Sequence, residues 1–98
     1  MIRFQRTAKV NADKGTEAQQ WALKVAAYLN EHFSEVTVGV FLNRFGAFNE
    51  IHWIIDFAQL ADLDTYQLKV GADEGYNKLV QETAGLFGGI SDSVIYSI

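Results

Sequence analysis

Ninety-eight residues, 49% hydrophobic and 13% aromatic, describe one folding unit with a single core spanning residues 1–98 and little room for a separate catalytic domain. The formal charge of −4, from 8 Lys and Arg against 12 Asp and Glu, has the wrong sign for a nucleic-acid-binding face or a polybasic membrane anchor. The absence of cysteine excludes disulfides, thiolate metal sites and thiol nucleophiles.

The first residues carry charge but no apolar run behind it, so no secretory signal is visible. The apolar stretches at 36–42 and 51–55 are far shorter than the ~20 residues of a membrane helix. The expectation is a soluble, cytoplasmic protein without membrane or nucleic-acid partners.

From residue 2 to 10 the chain alternates. Ile2, Phe4, Ala8 and Val10 share one parity; Arg3, Gln5, Thr7 and Lys9 share the other. That is the period-two pattern of a strand buried on one face, and Arg6 is its one exception. Residues 11–16 read as a loop, with Thr16 as helix N-cap and Gln19 in the capping-box position. Ala18, Trp21, Ala22, Val25, Tyr28, Leu29 and Phe33 then form one helical stripe. Trp21 is read as core, and His32 falls in the last turn, where a cation suits the helix dipole.

Residues 35–57 carry the most information. With Gly46-Ala47 as a two-residue hairpin turn, Leu42 falls opposite Ile51, Val40 opposite Trp53, Val38 opposite Ile55 and Val36 opposite Phe57. That parity is apolar except for Arg44 and Asn49, so register and hydrophobic pattern agree. The other parity pairs Phe41 with His52, Gly39 with Ile54, Thr37 with Asp56 and Asn43 with Glu50, a mixed face. Phe45 and Phe48 stand beside Arg44 at the hairpin tip, able to reach over a partner subunit. Leu60, Leu63 and Tyr66 recur every three residues in a short helix ending near Gly71. A further stripe of Tyr76, Leu79, Val80, Thr83 and Phe87 follows, with Asp73 as N-cap and Gly88-Gly89 as stop. Residues 93–98 read as the last strand.

The order β, α, β, β, α in two pieces, β is the α+β, ferredoxin-like βαββαβ arrangement. It predicts a four-stranded antiparallel sheet with helices on one face and the first strand between the third and fourth. The other face would carry Phe41 and Ile54 among Arg3, Gln5, Thr7, Thr37, His52 and Asp56, a composition that fits a partner surface or a ligand cavity.

Nearly the whole chain resembles the dimeric α/β-barrel superfamily, more narrowly its NIPSNAP-like and antibiotic-biosynthesis-monooxygenase-like members. The residues carrying the likeness are 3–7, the helix from Gly15 to Phe33 with Glu17, Ala18 and Trp21, and Ile51-His52-Trp53. Asp56-Phe57 with Leu60-Ala61, Asp73 before Tyr76, and Leu86-Phe87 with Gly89 and Ser91-Asp92 complete the set. The resemblance implies a homodimer in which two sheets pack face to face as a barrel. The superfamily holds cofactor-free monooxygenases, haem-binding enzymes and stress-response proteins, so it does not settle function.

No phosphate-cradling glycine motif, Walker sequence or Gly-x-Ser-x-Gly elbow occurs, and two histidines without a paired ligand on one helix give no metal motif. Neither cofactor nor metal is expected. On the mixed face His52 is the candidate proton acceptor, since imidazole titrates near neutrality. Asp56 is the second candidate catalytic residue; four residues along one strand, or ~13 Å, is too far for the two to form a dyad. Arg3, Gln5, Thr37, Phe41 and Ile54 are the candidate ligand-binding residues. The competing reading makes His52 a hydrogen-bonded interface residue and Arg3 with Asp56 an interfacial ion pair. Trp53 is read as core, and Tyr66 and Tyr76 as hydroxyls able to cap a pocket mouth.

Two functions follow. One is a homodimeric barrel that binds a small, partly apolar molecule or serves as an assembly module. The alternative is a cofactor-independent monooxygenase or related small-molecule enzyme, with His52, Asp56 and Arg3 as base and positioning groups.

Overall fold

The alternation of residues 2–10 becomes β1 (Ile2–Val10), an inner strand paired along both edges. The computed structural model describes residues 1–98. After β1 come α1 (Gly15–His32), β2 (Val38–Leu42), β3 (Glu50–Phe57), α2 (Leu60–Gly71), α3 (Glu74–Gln81) and β4 (Phe87–Tyr96). The strands form one antiparallel sheet in the order β2-β3-β1-β4, the ferredoxin-like topology the element order predicts.

The hairpin register is the expected one, with Val38 opposite Ile55, Val40 opposite Trp53, Phe41 opposite His52 and Leu42 opposite Ile51. The ladder is shorter than predicted at both ends. Thr37 precedes β2, and residues 43–49 form a loop rather than a two-residue turn. The Asn43 side chain replaces the missing rungs, donating to the Ala47 carbonyl and to Glu50 Oε1. Gly46 supplies the left-handed residue, at φ 88°.

Two helix boundaries also differ. The Lys14 carbonyl already accepts the amide of Ala18 (2.8 Å), so Thr16 lies inside the first turn instead of capping it. Helix α3 ends at Gln81 because a turn through Gly85, at φ 78°, follows; Thr83 and Phe87 lie beyond it. Asn11 fastens that turn to the end of β1, its amide donating to the Leu86 carbonyl (2.9 Å) and its side chain to the Gly85 carbonyl (3.0 Å). Strand β4 therefore starts at Phe87, not at residue 93, and runs through Gly88-Gly89. A register shift between Lys9 and Val10 absorbs the misfit.

The apolar parity of the sheet faces the helices. Phe4, Ala8, Ile51, Trp53, Ile55 and Phe57 are buried against Ala18, Ala22, Val25, Leu29, Leu63 and Tyr66. Trp21, Trp53 and Phe87 meet edge to face with centroids 5.7–6.1 Å apart, a geometry worth ~0.5–1.5 kcal/mol per pair beyond area burial. Both indole N–H groups donate, Trp21 to the Leu79 carbonyl (2.8 Å) and Trp53 to the Ala22 carbonyl (3.3 Å). The helices sit over β2 and β3, and beyond Phe87 every residue of β4 is exposed.

Asp73 caps α3 as predicted, accepting from the Tyr76 amide (2.9 Å), and also takes the Tyr28 hydroxyl of α1 (2.5 Å). The Tyr28 hydrogen bond, then the Tyr76 amide, hold this carboxyl below the usual aspartate range. His32 ends α1, stacked on the Tyr28 ring at 4.0 Å. Tyr28 reaches Asp73 across Gly75, where a Cβ would stand 2.0 Å from the hydroxyl. Gly→Ala in an unobstructed helix raises stability. Gly75→Ala is expected to do the opposite, because it expels Tyr28 and cuts the α1–α3 tie; a lowered thermal midpoint is the check.

Candidate functional site

Two regions of the fold bear on function, one on each side of the sheet. On the helix-free side β1 presents Arg3, Gln5, Thr7 and Lys9, β3 presents His52, Ile54 and Asp56, and β2 presents Phe41. Phe41, 51% exposed, lays its ring over Gly39, where a Cβ would come within 2.6 Å of Cε1. By register Ile95 of β4 stands beside Arg3 and is also exposed. No element of the chain covers this face.

Apart from Lys9, the polar residues of β1 and β3 on this face separate into two groups. Arg3 grips Asp56 in a two-point ion pair, Nε to Oδ1 at 2.8 Å and Nη2 to Oδ2 at 3.0 Å. The hydrogen bond from Arg3 holds the Asp56 carboxyl below its ordinary range. Thr37, which the expected register sets opposite Asp56, is exposed ahead of β2. The second group centres on His52. Asn43 spends its amide hydrogens on Ala47 and Glu50, so its Oδ1 faces His52 Nε2 at 2.8 Å and assigns the proton to that nitrogen. Nδ1 then accepts from the Thr7 hydroxyl (2.8 Å) and from Gln5 Nε2 (3.3 Å). The imidazole lone pair is thus already engaged by two donors.

The second region lies under the sheet. A cavity of about 340 Å³, within the usual range for small-molecule sites, opens between the helices and the inner sheet face. Its walls are mostly apolar: Phe4, Trp53, Ile55 and Val38 from the sheet, Trp21, Val25 and Leu29 from α1, Leu63 and Val70 from α2. Val80 and Ile90, 41% and 62% exposed, stand where α3 leaves β4 uncovered. Polar groups are few, namely Arg6, Tyr66, Gln67, Tyr76 and Thr83. Arg6 lies on the inner face because β1 keeps its register, and Asp92 of β4 directly opposite neutralises it with two bonds of 2.8 and 2.9 Å. Tyr66 is 5% exposed; its hydroxyl is shut off from solvent and reaches no acceptor. Burial pushes this phenol up to about 12, so it stays protonated.

Both tryptophans read as core, and both tyrosines read as pocket-capping groups, belong to this wall. The cavity itself is not predicted by the residue pattern. Its one trace in the sequence is Arg6, the break in the alternation of β1. His52, Arg3 and Asp56 lie on the far side of the sheet from it.

Residues 1–85 match the profile of a family of unknown function, DUF6039. The chain belongs to this family. No curated protein matches it. Among solved structures this DUF6039 chain is similar to an uncharacterised NIPSNAP domain protein from Burkholderia xenovorans, at 11% identity and a TM-score of 0.84, covering 100% of this chain and 95% of that one. It is also similar to a NIPSNAP family protein of unknown function from Agrobacterium tumefaciens, at 23% identity and 0.74, covering 97% and 86%. A putative antibiotic biosynthesis monooxygenase from Deinococcus radiodurans follows at 11% and 0.74, covering 99% and 92%. At such identities the likeness establishes the fold, including β4, which lies beyond the family match. The NIPSNAP and monooxygenase-like resemblance read from the residues holds at that level.

The ion pairs set the acid response. Arg6 lowers the Asp92 pKa by hydrogen bonding, as Arg3 lowers that of Asp56. A carboxylate whose folded pKa is depressed stabilises the fold above its unfolded value of ~3.9 and loses that contribution as pH falls toward the folded pKa. Stability is expected to decline below about pH 4. Asp92→Asn should flatten part of that decline in urea titrations run from pH 6 to 2. The Arg6–Asp92 side chains remain about a third exposed or more, so the pair is worth only ~0–1 kcal/mol.

Proposed function

We propose that this protein binds a small, partly apolar molecule in the cavity between its sheet and its helices, and that two copies associate through their helix-free sheet faces. The single observation that carries the binding reading is the 340 Å³ apolar cavity with few polar groups. An interior of this kind, left empty, forfeits the dispersion contacts of a packed core, and a guest restores them. Association is supported by the open face, where Phe41 and Ile95, 51% and 54% exposed, stand among polar groups already paired with one another. Arg3, Gln5, Thr37, Phe41, Ile54, His52 and Asp56 then serve the subunit interface. Pairs such as Arg3–Asp56 enter it already hydrogen-bonded, which lowers the penalty of burying them.

The oxygenase reading draws on the aromatic lining of the cavity and on a fold shared with a putative antibiotic biosynthesis monooxygenase. It needs a base beside the guest. The cavity wall offers guanidinium, phenol, amide and hydroxyl groups but neither carboxylate nor imidazole, and His52 is engaged across the sheet. Binding without turnover is therefore the reading adopted.

Native mass spectrometry of gently purified protein tests both parts. The expected species is a dimer with an additional small mass on each chain; a bare monomer would overturn the proposal. Two variants separate its halves. Paired Phe41→Lys and Ile54→Lys substitutions should yield monomers that keep the additional mass. Val80→Trp should leave the dimer intact and expel the guest by filling the cavity edge.

A further inference from the structure

The sheet ends in two edges of unequal kind, β2 and β4. We infer that the free edge of β4 is a self-association surface, on which β4 of a second copy of this chain docks antiparallel and continues the sheet. This surface is distinct from both the cavity and the helix-free face.

Two hydrogen bonds show which backbone groups are free. The Val10 amide donates to the Asn49 carbonyl (2.7 Å), so the even-numbered residues of β1 exchange bonds with β3. The odd-numbered ones are left for β4, and the Ser97 amide keeps that step by donating to the Met1 carbonyl (3.3 Å). Arg3 with Ile95, Gln5 with Ser93 and Thr7 with Ser91 are therefore the bonded pairs. The amides and carbonyls of Ile90, Asp92, Val94 and Tyr96 point the other way, where no strand follows.

Short length, lysine, proline or a bulge usually keeps other chains off such an edge. The opposite edge, β2, is only 5 residues long. Strand β4 runs for 10 residues with no proline and no basic side chain, and its register shift lies before Ile90. Its one charge, Asp92, is already neutralised by Arg6 of its own chain. The side chains of the four free residues stand on the helix side of the sheet, yet the helices leave Ile90, Val94 and Tyr96 exposed.

The strand is also complementary to itself. About a two-fold axis through Ser93, Ile90 falls opposite Tyr96 of the second copy and Asp92 opposite its Val94. All four free residues of each chain are then paired. Moving the axis to Asp92 would set two like charges directly opposite each other, and moving it to Val94 would leave Ile90 beyond the end of the other strand. A two-fold contact uses both β4 edges at once, so it closes at two copies. One strand edge falls short of the ~1,200 Å² of a lasting interface, which makes the contact weak and reversible.

The paired substitutions Phe41→Lys and Ile54→Lys, which remove the proposed face-to-face contact, isolate the edge for testing. As this variant is raised from about 10 μM to about 1 mM, sedimentation should show monomers passing to dimers. Amide hydrogen exchange, read residue by residue by NMR, should slow about tenfold at Ile90, Asp92, Val94 and Tyr96 where nine chains in ten are paired. Ser91, Ser93 and Ile95, bonded to β1 in either state, should keep their rates. Adding Val94→Pro removes an edge donor but no rung of the β1 ladder, and the two-fold axis doubles the loss. The dissociation constant should rise about tenfold or more. Val94→Asp should also weaken pairing, by facing Asp92 of the second copy, and it serves if the proline variant fails to fold.

Monomers at every concentration, or association that Val94→Pro and Val94→Asp leave unchanged, overturn the edge proposal. So does slowed exchange in β2 in place of the four β4 amides. The face-to-face reading fails separately, if the unsubstituted chain is already monomeric at the lower concentration.

Discussion

Strand β1 is hydrogen-bonded on both edges, to β3 along Ile2–Lys9 and to β4 along Ile2–Val10. Its amides and carbonyls have no freedom to slip, because a shift of one residue would turn Phe4 and Ala8 out of the core and bring Arg3 and Thr7 in. Once that register is fixed, so is the side of the sheet on which each neighbouring residue stands. His52 must lie with Thr7, Asp56 with Arg3, and Asp92 with Arg6. The ion pairs and the histidine network are consequences of one strand's alignment.

The same alignment gives the sheet two unlike faces. The outer one has its charges and hydrogen bonds largely spent on one another, with large apolar groups left over. The inner one is apolar but incompletely filled, because the helices rest over β2 and β3 and arch away from the β1–β4 side. A protein of this size has little core to spare, so an unfilled interior bears directly on its marginal stability. The division of labour proposed here follows: association outside, a guest inside.

Local patterning made most of the architecture readable. Alternation in residues 2–10, the helical stripe from Ala18 to Phe33 and the matched hairpin halves each report on one element and its nearest neighbour in sequence. That is why the strand register was right to the residue within the ladder. The reading failed where a side chain competes with the backbone. Asn43 ended β2 early by bonding to the loop, and Asn11 drew the turn at Gly85 against β1 so that β4 began before its glycines. The cavity was out of reach for a different reason. It arises from how far two layers stand apart, and no residue spacing encodes that distance. Arg6 was visible as an anomaly, but its partner Asp92 lies 86 positions away.

The uncovered state of β4 has a kinetic meaning. Beyond Phe87 the strand has no buried side chain and is held chiefly by its ladder to β1 and the Arg6–Asp92 pair, so its opening exposes little apolar core. Phe87 and Ile90, which close one side of the cavity, sit on that strand. On the proposed binding reading, opening of β4 would give a guest a way in with every helix in place. On that reading affinity would rest with the wall around Trp21 and Trp53, and residence time with the hydrogen bonds between β1 and β4. Substitutions along the edge strand would retune one without touching the other.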